Sequence, residues 1–154
     1  MTEARDNPKI QIRTPRPEDY SRLAELAGQL GYPSTSDDIA RRIADLDASS
    51  AYAVFLAEQP TQPTEIAGWV CIVIHRTLES EPFAEITGFI VDERHRSKKV
   101  GEKLLARAEQ WAREQGINAV RLRSNVTRDR AHAFYLRYGY EHHKTQKAFR
   151  KILE

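Results

Sequence analysis

Residues 83 to 101 read FAEITGFIVDERHRSKKVG, and the interpretation of the whole chain starts from this stretch. Its first part, Phe83–Val91, is mostly apolar and predicts a strand. A polar and strongly charged segment follows, and from Val100 onward apolar residues recur at helical spacing. The stretch therefore predicts a strand that passes through a short basic loop into an amphipathic helix.

The loop between that strand and that helix has the chemistry of an anion site. The first turn of a helix leaves about four N–H groups without partners and carries a partial positive charge, so phosphates bind there readily. Gly101 lets a ligand approach the backbone closely. A solvated basic surface loop is the alternative, but the strand-loop-helix context favours a phosphate site. Four basic side chains add positive charge: Arg94, Arg96, Lys98 and Lys99.

The rest of the chain predicts one mixed sheet flanked by helices. The expected order is β-αα-βββ-α-β-α-β, in which consecutive strands form a meander and the later β-α-β crossover requires parallel strands. We expect an α/β (α+β) fold in a single domain of residues 1–154. Besides the stretch above, the predicted elements are strand Lys9–Arg13, helices beginning near Pro17 and Ser36, strands Ala51–Ala57, Glu65–His75 and Ala119–Arg123, helix Thr127–Tyr138, and a final strand Tyr140–Ile152.

Composition excludes several classes of protein. The 154 residues carry 24 basic and 22 acidic side chains, so we expect no nucleic-acid partner, and a nucleic-acid-binding domain that uses the Arg94–Lys99 patch is a minor alternative. No apolar stretch approaches the roughly 20 residues that span a bilayer, and no signal peptide is evident. We therefore expect no membrane partner and a cytoplasmic protein. The single cysteine, Cys71, and the scattered histidines predict neither a disulfide nor a metal site.

The second half of the chain contains the more specific pattern. Residues 125 to 140 read NVTRDRAHAFYLRYGY. This segment resembles the pattern Asn-x(4)-Arg-x-x-x-Phe-Tyr-x-x-x-Gly-Phe/Tyr of the GNAT family of N-acetyltransferases. The basic loop resembles that family's coenzyme A motif, Arg/Gln-x-x-Gly-x-Gly/Ala, with Arg96 first and Gly101 last. Lys99 stands where the first glycine usually is, and a positive φ there would strain a lysine.

The resemblance implies acetyl-CoA as cosubstrate, lying between the strands Phe83–Val91 and Ala119–Ser124. Its pyrophosphate would sit on the N–H groups of Ser97 to Glu102. Asn125 would bond the pantetheine arm or act as a turn residue, and Arg130 would meet phosphate or belong to an exposed helix face. The implied cofactor contacts are Phe89, Ile90, Val91, Arg96, Ser97, Lys98, Lys99, Val100, Gly101, Glu102, Asn125 and Arg130.

The resemblance also implies direct transfer of the acetyl group to an amine. Tyr135 is the candidate acid for the departing thiol, with a core aromatic as the alternative. Glu85 is the candidate base, with a water as the alternative, because a carboxylate in apolar surroundings binds a proton more readily. Alternation would place Glu85 on one face with Thr87, Phe89 and Val91. An exposed Glu85 paired with a lysine is the other interpretation.

The acceptor is expected to be a primary amine on a small molecule or a protein. In the family, the segment corresponding to Gly28–Asp38 commonly helps to form the acceptor site. Acidic residues can attract a cationic amine or simply face solvent; these are Asp37, Asp38, Glu79 and Glu81. A non-catalytic CoA-binding or protein-interaction module on the same fold is the alternative function. By resemblance alone, a homodimer with a contact at the C-terminal strand is expected.

Overall fold

The structure of the chain is a computed structural model that describes residues 9–49, 51–60, 64–96 and 99–154. Two turns of 3-10 helix, Pro17–Asp19 and Glu93–His95, precede the first and the third α-helix. No helix among the described residues is long and apolar enough to cross a bilayer. The elements are β1 (Gln11–Arg13), α1 (Tyr20–Gln29), α2 (Ser36–Ser49), β2 (Tyr52–Gln59), β3 (Glu65–His75), β4 (Phe83–Val91), α3 (Val100–Glu114), β5 (Val120–Leu122) and α4 (Asp129–Arg137).

The sheet has the order β1-β2-β3-β4-β5, and its mixed character is confirmed. The first three pairings are antiparallel, and β4 pairs with β5 in parallel. The ladder between β4 and β5 covers only Ala84, Glu85 and Ile86. The two parallel strands are therefore held together at the start of β4 and not at its end.

The chain divides into two compact units, Met1–Arg123 and Ser124–Glu154. In the first unit, α3 presents the apolar stripe that the sequence predicts, from Val100 to Ala112, and its residues are buried except for the half-buried Trp111. Strands β2 and β3 contribute fully buried residues such as Leu56 and Ile72. Burial of this kind supplies most of the free energy that holds such a sheet and its helices together. The expectation of a single domain over residues 1–154 stays a prediction.

The second unit contains α4 and a segment without regular structure. The rings of Phe134 and Tyr138 pack with centroids 4.8 Å apart, and those of Tyr135 and Tyr140 lie 6.1 Å apart. The predicted final strand, Tyr140–Ile152, is wrong, because none of these residues adopts strand structure. Residues 141 to 147 read EHHKTQK and lack the apolar alternation that a half-buried strand requires.

Candidate active site

The loop that leads into α3 begins with a buried carboxylate. Asp92 follows β4 directly and is only 1% exposed. Its Oδ1 accepts a hydrogen bond of 3.0 Å from the backbone N–H of Arg94, which caps the short turn Glu93–His95. The predicted cofactor residue Arg96 ends that turn with an exposed side chain. Ser97 and Lys98, also predicted cofactor contacts, lie outside the described residues.

Lys99 adopts a left-handed backbone conformation immediately before α3. Its φ of 63° is the only positive value among the described non-glycine residues. Glycine adopts this conformation without a steric penalty, whereas other residues are strained by about 1–2 kcal/mol. The lysine side chain makes no capping hydrogen bond to the first turn of α3. The helix therefore starts with N–H groups that its own cap residue does not occupy, and Val100, Gly101 and Glu102 lie in that first turn.

Behind this loop lies a network of ion pairs. Asp92 contacts the guanidinium groups of Arg22 and Arg94, and Glu65 contacts Arg94 and the imidazole of His95. Burial by itself would raise the pKa of Asp92, but hydrogen bonds from Arg94 and Arg22 outweigh it and hold the pKa well below its ordinary value. Arg94 is therefore tied to carboxylates and does not belong with the free cationic groups of the loop.

Three members of this network, Glu65, Asp92 and His95, offer potential metal-ligand atoms within 4.8 Å of one another. Two guanidinium groups contact the same carboxylates, and positive charge at that distance opposes the binding of a cation. The arrangement is that of an ion-pair network. The expectation that the chain uses no metal stays a prediction.

A β-bulge in β4 changes which residues share a face. Residues paired across antiparallel strands point to the same side, and β3 pairs Val73 with Glu85 and Val70 with Phe89. The register shifts by one residue between Cys71 and Ile72, so Thr87 is extra in β4. Glu85 therefore lies on the face opposite Phe89, and the predicted common face is wrong.

Gly88 supports this assignment of faces. It pairs with Cys71, which is two residues from Val73 on β3 and so shares the face of Glu85. A Cβ added at Gly88 would lie 2.6 Å from Cζ3 of Trp69, which is on that same face. The Trp69 indole N–H in turn donates to the backbone oxygen of Leu23, 3.3 Å away. Glu85 thus lies on the side of the sheet that α1 covers.

The surroundings of Glu85 are charged, whereas an apolar pocket was expected. Its Oε1 accepts a 3.1 Å hydrogen bond from Arg123, and its Oε2 lies 3.8 Å from Nε2 of His75. The Glu85 side chain is 14% exposed, so it is largely shielded but still reachable by water. The alternative interpretation paired Glu85 with a lysine, whereas its partners are Arg123 and His75. The role of Glu85 as a base stays a prediction.

Tyr135 lies on the second unit, on the buried side of α4. Burial raises the pKa of its phenol, and the positive charge of Arg128 offsets part of that effect. The phenol therefore stays protonated near neutral pH, as a proton donor must. Its ring also packs edge-on against Phe134, with centroids 5.7 Å apart. The core-aromatic role is thus present, and the catalytic role stays a prediction.

Asn125 and Arg130 show the structural roles that were the alternatives for them. Oδ1 of Asn125 accepts hydrogen bonds from the backbone N–H and the hydroxyl of Thr127, at 3.0 and 2.8 Å. This is a turn that precedes α4. Arg130 is exposed on α4. A contact of either side chain with the cofactor stays a prediction.

The acidic residues proposed near an acceptor site differ in their roles. Asp38 accepts from the backbone N–H of Thr35 at 3.0 Å and from Arg41 at 3.0 Å, so it caps α2. The hydrogen bonds from Thr35, followed by that from Arg41, lower the pKa of Asp38. The other three acids, Asp37, Glu79 and Glu81, are exposed.

Several residues around the site carry no local signal in the sequence. Arg22 contacts Asp92 across 70 positions of sequence, and Arg123 contacts Glu85 across 38. Such contacts depend on the register of the sheet and on where α1 packs. Asp92 alone could have been found, because an acidic residue that follows a strand and precedes a turn of helix is a typical cap.

Comparison with known proteins gives consistent matches. The model of the Acetyltransferase (GNAT) family matches residues 18–140. An aminoalkylphosphonate N-acetyltransferase of Salmonella typhimurium is 31% identical over 87% of this chain and 86% of its own length. An aminoglycoside N(6')-acetyltransferase type 1 of Stenotrophomonas maltophilia is 29% identical over 93% of this chain and 94% of its own. The solved structure of AAC(6')-Iy in complex with a CoA bisubstrate analog superposes with a TM-score of 0.80 at 17% identity, covering 94% of this chain and 99% of that one.

Proposed function

Because this chain belongs to the acetyltransferase (GNAT) family, we propose that it transfers the acetyl group of acetyl-CoA directly to a primary amine of a small molecule. The chain is an acyltransferase that acetylates an amine, as its family and its named relatives show. We propose in addition that acetyl-CoA is the donor, that the transfer is direct and that the acceptor is a small molecule. The roles given to individual residues below are also proposed.

The observation that carries the proposal is the start of α3. A left-handed residue turns the chain at Lys99, and α3 opens at Val100 with no capping bond from the lysine side chain. Backbone N–H groups at such a position bind phosphate oxygens, and the helix dipole adds to their attraction. The adjacent strand β4 pairs with β5 only as far as Ile86, so the strands part before Phe89–Val91. The pantetheine arm would lie along that part of β4.

In the proposed reaction the amine nitrogen attacks the carbonyl carbon of the thioester. The nitrogen–carbon bond forms, the carbon–sulfur bond breaks, and the sulfur leaves as a thiolate. Glu85, directly or through a water, takes the proton that the amine loses, and Tyr135 gives a proton to the sulfur. No covalent enzyme intermediate is needed.

The choice of a small acceptor rests on the two curated relatives. Their names describe an aminoalkylphosphonate and an aminoglycoside, both of which are small amines. The carboxylate of Asp38 already accepts hydrogen bonds from Thr35 and Arg41 as part of the cap of α2. We therefore expect the acceptor specificity to depend on residues other than this carboxylate. We further propose a cytoplasmic location. We also propose a homodimer, and sedimentation of the purified protein would test this oligomeric state.

The experiment is an acceptor screen. Purified protein is incubated with acetyl-CoA and a panel of aminoalkylphosphonates, aminoglycosides, polyamines and lysine peptides, and the free thiol is followed. We expect thiol release with at least one small amine, and product whose mass has gained one acetyl group. Thiol release with lysine peptides alone would contradict a small-molecule acceptor, and acetyl-CoA binding without turnover on any amine would favour a non-catalytic CoA-binding module.

A further inference from the structure

We propose that Arg22, on α1, is a positioning residue for cofactor binding. It holds Asp92, and through Asp92 it holds the turn that leads into the phosphate-binding start of α3. We call the ion pair between Arg22 and Asp92 the clasp. The inference rests on the proposed function, because it concerns the binding of acetyl-CoA at the start of α3.

Arg22 joins three elements. Its Nη2 contacts Oδ2 of Asp92, its Nε donates to the backbone oxygen of Ile66 on β3 at 3.1 Å, and its Nη1 donates to Glu25 at 2.9 Å. The Arg22 side chain is 20% exposed and the Asp92 side chain 1%. Salt screens an ion pair at this depth only weakly. Removal of one partner destabilises the protein, because the other charge is then left buried without compensation.

Asp92 connects Arg22 to the loop through its backbone hydrogen bonds. Its backbone N–H donates to Ala67 at 2.7 Å, and its backbone oxygen accepts from His95 at 2.8 Å. Together with the cap on Arg94, these bonds fix the whole of the turn Glu93–His95. The side chain of Asp92 is thus the point at which α1 can move or steady the segment before Arg96.

A second α1 residue contacts the same turn. The backbone N–H of Glu93 donates to Oε1 of Gln29 at 3.3 Å. Helix α1 therefore contacts Asp92 and the turn through Arg22, near its N-terminal end, and through Gln29, its last residue. These two attachments make α1 a support for the loop and not only a cover for the sheet.

The consequence is a specific loss of cofactor affinity when the clasp is removed. Without Arg22, the buried Asp92 carboxylate keeps only the exposed Arg94 as a charged partner. The turn would then sample other arrangements, and the apparent affinity for acetyl-CoA would fall in proportion to the fraction of molecules whose loop is competent to bind. Once acetyl-CoA is bound, its own contacts order the loop, so turnover at saturating cofactor should change little.

Arg13 provides a matched control. Its side chain is also 20% exposed, and it pairs with Asp19, whose side chain is 7% exposed, and with Glu58. Arg13→Met therefore removes two ion pairs, one of them to a similarly buried carboxylate, and the contacts described for Arg13 do not include the turn Glu93–His95. Loss of stability alone should affect Arg13→Met and Arg22→Met alike.

The experiment measures the Kd of acetyl-CoA by titration calorimetry, KM and kcat, and the unfolding temperature for wild type, Arg22→Met and Arg13→Met. We expect both variants to unfold at lower temperature. Only Arg22→Met should raise the Kd and the KM for acetyl-CoA, by about tenfold, with kcat within about twofold of wild type. Arg22→Lys should recover part of the affinity, since it keeps the charge but not the forked geometry.

A second measurement needs no cofactor. Amide hydrogen exchange of residues 93 to 96 should be faster in Arg22→Met than in Arg13→Met. Equal exchange in the two variants, or a wild-type Kd for Arg22→Met, would overturn the clasp. If wild-type protein bound no acetyl-CoA, the proposed function would fail, and the clasp's role in binding with it, even if the exchange rates differed.

Discussion

Lys99 illustrates how a single residue can depart from a family pattern without losing its geometry. Glycine is common at the corresponding position of the coenzyme A motif, and Lys99 still adopts a φ of 63°. A left-handed residue at this point precedes the first turn of α3, whose N–H groups have no partners within the helix. The backbone conformation is retained, and the lysine bears the strain.

We predict that Lys99→Gly keeps or improves acetyl-CoA binding and does not lower the unfolding temperature. Relief of left-handed strain, about 1–2 kcal/mol, outweighs or balances the greater entropy of glycine in the unfolded chain, about 0.5–1 kcal/mol. Thermal unfolding and titration calorimetry measure both effects. Lys103→Gly, within α3, is the control and should cost about 1 kcal/mol. A clear loss of stability in Lys99→Gly would contradict the prediction that the left-handed backbone at Lys99 is strained.

Tyr135→Phe tests the proposed acid. We expect kcat to fall by about 100-fold, the scale of a lost general acid, with an unfolding temperature close to wild type because the ring is kept. The release of free thiol from acetyl-CoA measures kcat. Tyr138→Phe, at the end of the same helix, is the control and should leave kcat near wild type. Equal rates for Tyr135→Phe and wild type would assign Tyr135 to the core alone.

The candidate residues of the site differ in how far the sequence alone can indicate them. Motif spacing selects Gly101, Tyr135 and Glu85 as candidates, because those patterns fix residue types at set intervals, and their roles stay predictions. Arg22 and Arg123 could not be found in this way. Each meets its carboxylate partner only after distant parts of the chain have packed together.

At the scale of elements, β4 shows what periodicity can and cannot predict. Its bounds, Phe83–Val91, agree with the apolar pattern. The faces of its residues do not, because the extra residue Thr87 reverses the alternation after Glu85. A bulge depends on how a strand pairs with its neighbour, and no single strand's sequence reveals it. The wrong final strand after Tyr140 has a different reason, because residues 141 to 147 lack the apolar alternation of a half-buried strand.

The close packing of β3 on β4 and α3 gives a prediction about Gly68. A Cβ at this position would lie 2.5 Å from the backbone oxygen of Ile90 and 3.2 Å from Cδ1 of Leu104. Backbone cannot yield as a side chain can, so Gly68→Ala should lower the free energy of unfolding by about 1–3 kcal/mol.

Gly28→Ala on α1 is the control for Gly68→Ala. A Cβ at Gly28 meets nothing within 4 Å. Alanine there should stabilise the helix by about 0.5–1 kcal/mol. Urea unfolding of both variants measures the difference. A neutral Gly68→Ala would mean that β3 and β4 lie further apart at this point.

At the scale of the whole molecule, the order of elements from β1 to α4 and the mixed sheet were predictable. Periods of two and of about four residues distinguish strands from helices, and the β-α-β crossover fixes the parallel pair. The division into the units Met1–Arg123 and Ser124–Glu154 was not predicted. Compactness depends on contacts between distant residues, which composition does not reveal.

We expect the full chain to unfold as one domain, in a single transition. Scanning calorimetry should give equal calorimetric and van't Hoff enthalpies. Two separate transitions, one for each compact unit, would contradict the single-domain prediction. A repeat scan with acetyl-CoA should show one transition at higher temperature, because a ligand that binds only the folded state stabilises it.

The central claim is that acetyl-CoA binds at the start of α3, and titration of Gly101 variants tests it most directly. Calorimetric titration should show that wild type and Gly101→Ala bind acetyl-CoA with similar Kd. Gly101→Val should bind at least about tenfold more weakly, because its branched side chain crowds the pyrophosphate against the first turn. If Gly101→Val bound acetyl-CoA as tightly as wild type, the assignment of this loop would be wrong.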